Sequence, residues 1–68
     1  MQLTLGQRLA DRITLFCRAK DLPLRAILQE SGIDRATFSR WRSGEMNPRG
    51  LSIERVEAAL KYYGEGKP

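Results

Sequence analysis

Along this chain, large apolar residues return every three or four positions and never alternate for long, a pattern that predicts helices each carrying one buried stripe. Leu5, Leu9, Ile13 and Phe16 form the first stripe, with Arg8, Asp11, Arg12 and Arg18 off it. Thr4 and Gln7 ahead of it have capping-box spacing, in which each side chain satisfies the other's free backbone N–H. The spacing predicts a helix over residues 5–20, with Cys17 as a small packed side chain at the stripe's edge.

Asp21-Leu22-Pro23 interrupts that periodicity. Proline suits a first helical turn, where its missing N–H costs nothing. Leu24, Ile27 and Leu28 then give the apolar face of a short helix over residues 23–31, ended by Gly32, which can take a positive φ. Asp34 is an N-cap residue for a third helix over 35–43. After a loop holding Pro48 and Gly50, Ser52 is the expected cap of a fourth helix over 52–63. Ile53, Val56, Leu60 and Tyr63 make its apolar face, and Glu54, Arg55, Glu57 and Lys61 point outward. Residues 64–68 lack apolar content and are expected to form a flexible tail. Two short helices joined through Gly32 by a few residues suit a helix-turn-helix.

Charge changes the picture in one place. The chain has 12 basic and 8 acidic residues, a modest excess. Between Arg35 and Arg49, however, stand four arginines and a single acid, Glu45. On a helical wheel Phe38 and Trp41 share one side of the third helix, while Arg35, Ala36, Ser39, Arg40 and Ser43 share the other. The two aromatics are therefore anchors for the fold, and Trp41 is expected to hold the helix rather than touch a ligand. The opposite face sets short residues between arginines, so it can approach a surface closely. Arginine reaches phosphate, or binds guanine O6 and N7 in bidentate fashion, and a major groove admits one helix. A solvated helix would interleave acids for i,i+4 pairing. This one has none between Arg35 and Ser43.

The stretch "LRAILQESGIDRATFSRWRSGE" (residues 24–45) resembles the helix-turn-helix of the lambda-repressor-like group, which includes Cro, repressors and Xre-type regulators. Gly32 matches the turn glycine, Ile33 the apolar residue after it, and Phe38 and Trp41 the buried positions of the recognition helix. The resemblance extends over most of the chain. It implies an all-α fold, a compact four- to five-helix bundle, with a DNA-binding domain over residues 1–63, its motif at 24–43 and its recognition helix at 35–43. Carried over by position, base reading falls to Arg35, Ala36 and Arg40, with Ser39 beside them. Phosphate contact falls to Arg25, Thr37, Arg42, Ser43, Asn47 and Arg49. The family often dimerises near the fourth helix, where Leu60, Tyr62 and Tyr63 are the candidates, tyrosine being favoured at interfaces. The sequence departs from the family at Leu24, often a phosphate-binding glutamine, and at Leu28, usually alanine or glycine. A leucine at the second position is expected to spread the two helices of the motif.

The expected function is that of a sequence-specific double-stranded DNA-binding regulator, a small repressor or autoregulator of phage, prophage or mobile-element type. It would bind an inverted-repeat operator as a homodimer. An antitoxin-type regulator and a protein-interaction module of the same fold are the alternatives. With no histidine, no glycine-rich phosphate loop and one isolated cysteine, no nucleophile–base pair is present, so an enzyme is not expected. No metal-ligand spacing and no cofactor motif appear. No apolar run approaches the ~20 residues of a membrane span and no signal peptide is recognised, so a cytoplasmic protein without a membrane partner is expected.

Overall fold

The computed structural model describes residues 2–65. They form four helices: α1 (Leu5–Lys20), α2 (Leu24–Ser31), α3 (Arg35–Ser43) and α4 (Gly50–Gly64). No strand occurs among the described residues. Local chemistry accounts for most boundaries. Thr4 and Gln7 close the predicted capping box on α1, at 3.0 Å in both directions. Asp34 accepts from the Thr37 N–H at the start of α3. The first three helices end alike, in a left-handed residue: Asp21 (φ 56°), Gly32 (φ 71°) and Gly44 (φ 84°). In each case the following N–H reaches back to a carbonyl of the last turn, as in Leu22 to Cys17 and Ile33 to Leu28, both at 2.9 Å.

The core joins Leu9, Ala10, Ile13 and Cys17 of α1 with Ile27 and Leu28 of α2, Phe38 and Trp41 of α3, and Val56, Ala59 and Leu60 of α4. Backbones approach most between α1 and α3 and between α2 and α4. The α1 stripe is rotated from its predicted position. Leu5 is half exposed and Phe16 only partly buried, whereas Gly6, Ala10 and Cys17 lie inside. The periodicity of the large residues pointed to one edge of the buried face; its centre is made of small residues because α3 comes close there. A Cβ on Gly6 would stand 2.5 Å from the Met46 carbonyl oxygen and 3.1 Å from the Trp41 Cα. The Gly6 N–H is bound by the Asn47 side-chain oxygen at 3.0 Å.

Other expectations are corrected in detail. α4 begins at Gly50, two residues before the predicted start, with extended Arg49 at its N-cap and no side-chain cap bond. Ser52 therefore lies inside the first turn and caps nothing. Pro23 is the N-cap of α2 rather than its first residue. Leu60, 6% exposed, is core and is unavailable as an interface residue; Tyr63 packs partly buried against the same core. Both face inward because α4 turns Val56, Ala59, Leu60 and Tyr63 to one side. Gly64, placed in the expected tail, ends α4, and residues 66–68 of that tail lie outside the described residues. Leu28 is buried in the core, and α2 and α3 make little backbone contact with each other.

The ion pair found among the described residues ties α1 to α4. Arg12 grips Glu57 with both guanidinium branches, one at 2.7 Å. Hydrogen bonding from Arg12 holds the Glu57 carboxyl below its ordinary range. Asp34 is likewise lowered, first by hydrogen bonding from the Thr37 side chain and then by its N–H, with a smaller pull from Arg40.

Two outcomes are expected. Gly6→Ala should lower stability by about 1–3 kcal/mol, because the added methyl must displace backbone. Gly50→Ala, with no atom within 4 Å of the new carbon, should be neutral or stabilising. Paired thermal melts check this. Because Asp34 and Glu57 titrate lower folded than unfolded, their contribution is complete above the unfolded value near pH 4 and is lost as pH falls through the folded one. The melting temperature should drop on acidification below about pH 4, and more shallowly in D34N/E57Q, which keeps a capping acceptor but cannot titrate.

Candidate nucleic-acid interface

The exposed arc of α3 follows from its nine residues, Arg-Ala-Thr-Phe-Ser-Arg-Trp-Arg-Ser, which include no acid. Phe38 and Trp41, 4% and 1% exposed, fix the helix rotation. What remains outside is Arg35, Ala36, Ser39, Arg40, Arg42 and Ser43. At about 100° per residue, Ser39, Ser43 and Ala36 take the middle of this arc, with Arg35 and Arg42 on one edge and Arg40 on the other. The helix thus presents a low central strip between positive margins.

Concavities flank α3 on both sides. One is lined by Leu24 of α2 with Arg35, Ala36, Ser39 and Arg42. Leu24 and Phe38 are its large apolar lining residues. The other is lined by Thr37, Trp41, Met46, Asn47, Arg49 and Ser52, and so joins α3 to the start of α4. Arg25, Arg42 and Arg49, the cations among the expected phosphate contacts, are all exposed.

Hydrogen bonding sorts the uncharged candidates. The Ser43 hydroxyl donates to the Arg40 carbonyl at 3.1 Å and accepts from the Glu45 N–H, so its proton is committed to closing α3. Thr37 is half-buried and bonded to Asp34. Asn47 spends its oxygen on Gly6, which orients its amide and leaves the NH₂ as the outward group.

Sequence inspection missed two features. First, side chains cap α1 and α3, whereas α2 and α4 have no side-chain cap bond. The uncapped pair are the helices that precede and follow α3. Their first N–H groups, at the positive end of each helix dipole, suit an anion. Pro23 and Arg49 at those N-caps were the available signal, since neither side chain accepts from a helix N–H. Second, the buried Trp41 indole N–H has no partner, although the residue forms part of the wall of the α3–α4 concavity. Buried donors are nearly always bonded, so an orphan is notable. Nothing in a helical wheel reveals it. No family model, curated protein or solved structure was found to match this chain.

Trp41→Ala should cost about 3–5 kcal/mol, the range for a large buried aromatic. Trp41→Phe should cost clearly less, because it removes the unbonded donor along with part of the ring. Urea unfolding of both variants is the check.

Proposed function

We propose that this protein binds double-stranded DNA sequence-specifically as a small transcriptional regulator, with α3 as its recognition helix in the major groove and α2–turn–α3 as its helix-turn-helix. What carries the proposal is the acid-free outer arc of α3, in which small side chains lie between arginine margins. Such a strip permits close approach to base edges, and the margins supply bidentate donors. Arg40, Arg35, Ser39 and Ala36 are the base-reading group. The uncapped ends of α2 and α4, with Arg25, Arg42, Arg49 and the Asn47 amide, take the phosphates on either side. The chemistry is that of a binder and not of an enzyme.

One short recognition helix reads only a few base pairs, so two copies on an inverted repeat are proposed, as expected of a repressor or autoregulator of phage, prophage or mobile-element type. Dimers of this motif set their half-sites about 10 bp apart, centre to centre.

The test is a binding series on an operator selected from random DNA. About five or six phosphate contacts per protomer should give a slope of log affinity on log salt near −5 for each protomer bound, and about twice that for two copies on an inverted repeat. Arg40→Ala should lose about 1–3 kcal/mol of discrimination at one base pair per half-site. Arg49→Ala should weaken operator and random DNA alike and reduce the salt slope by about one per protomer bound. A salt-independent affinity, or an Arg40→Ala protein with unchanged base preference, would sink the assignment.

A further inference from the structure

Where α1 meets α3, small residues let the two backbones close up; where α1 meets α4, the backbones stay apart. Large side chains fill that second seam, and a depression of about 150 Å³ opens on the surface between them. It is lined by Leu5, Arg8, Leu9 and Arg12 of α1 with Ile53 and Glu57 of α4. Leu9 is buried, Ile53 is partly buried and Leu5 is 49% exposed, so the apolar lining opens to water. None of the six lies on α3 or among the groups assigned to DNA.

The three charges of this lining are not equivalent. Arg12 and Glu57 grip each other across the two helices, so their charges cancel and the pair walls off one end. Arg8 has no carboxylate partner and no side-chain hydrogen bond among the described residues. It is exposed, and a side chain of this kind lays its stem on an apolar wall while its charged head stays in water. Glu54, the other acid early in α4, is exposed and takes no part in the lining. The depression therefore has an apolar floor, a closed neutral end and one uncompensated cation. Small-molecule sites are built in this way, mostly apolar with a few polar groups that orient the ligand.

From this arrangement we infer that the α1–α4 depression binds a small carboxylic acid with an apolar body of about six carbons. The body lies on Leu5, Leu9 and Ile53, and the carboxylate pairs with Arg8. Volume sets the size of the body, since an apolar cavity of about 150 Å³ lined by aliphatic side chains holds one benzene ring. A drug-sized ligand needs a pocket of at least ~300 Å³. A partner protein needs far more surface, ~1,200 Å² for a stable interface. The Arg12–Glu57 pair closes the far end, so a longer chain would have to project into water. Charge sets the head group. A guanidinium offers a carboxylate two parallel N–H donors, a match that an alcohol or an amine of the same length cannot make. Because the site stands apart from α3, it does not depend on the proposed DNA function and can be measured without DNA.

The test is a titration of the free protein with sodium hexanoate, followed through the methyl NMR signals of Leu5, Leu9 and Ile53. Hexan-1-ol and hexylammonium chloride present the same body with other head groups. Hexanoate should shift these methyls saturably, with a Kd on the order of 1 mM. Hexan-1-ol should bind about fivefold more weakly, the worth of one exposed ion pair. Hexylammonium should bind more weakly still, its charge meeting that of Arg8. Arg8→Gln should abolish the preference for the acid and leave the affinity for the alcohol unchanged. Leu5→Ala should weaken acid and alcohol together, by about threefold. Circular dichroism should be unchanged in both variants, since both positions are exposed. The site would be overturned by the absence of a saturable shift up to about 20 mM, a range that covers affinities of this order. Shifts at the α3 arginines in place of these methyls, equal binding of acid and alcohol, or a preference that survives Arg8→Gln would overturn it as well.

Discussion

Trp41 is buried only because α1 offers it almost no side chain. Gly6 comes so near the Trp41 backbone and the Met46 carbonyl that even a methyl group has no room. The approach fixes three things together. It sets the rotation of α3, and hence which residues form its outer arc. It places the loop after α3 against the start of α1, where Asn47 caps the Gly6 N–H. And it makes small residues the centre of the α1 face, leaving Leu5 at its edge.

The polar groups around α3 are divided by the same geometry. Hydroxyls that looked available in the sequence, those of Ser43 and Thr37, are held by nearby chain groups. The donors left outward are guanidinium ions, an amide NH₂ and the first N–H groups of two uncapped helices; beside them stand the exposed Ser39 hydroxyl in the middle of the arc and the carboxylates of Asp34 and Glu45 beyond the two ends of α3. A surface with donors at its margins and short side chains at its centre fits a groove walled by phosphates more readily than an apolar protein surface. The acids of α4 lie on other faces, one bound to Arg12 and another on the outward side of α4, so they do not oppose an anion at α3.

The helices and their order were legible in the sequence because their causes are local. The capping box at Thr4, the cap at Asp34, the left-handed glycines at 32 and 44, and the inward side of Phe38 and Trp41 each depend on residues within one or two turns. The start of α4 was misplaced because Ser52 has capping chemistry, but that chemistry is unused when the chain already turns helical at Gly50. Leu60 was misassigned because an apolar residue late in an amphipathic helix reads equally as core or as interface. Only knowing which side of α4 meets α1 and α2 separates the two.

By itself, then, the sequence determined an all-helical chain, the residues on the outer arc of α3 and the charge they bear, since periodicity and capping act over a few residues. Tertiary structure alone decided that Gly6 rather than Leu5 faces Trp41, that Asn47 serves α1, that the Trp41 N–H goes unpaired, and that Leu51 and Tyr62 stay outside while Leu60 is enclosed. Each of these depends on how closely residues distant in the chain approach one another, a distance that packing sets and that no local pattern encodes.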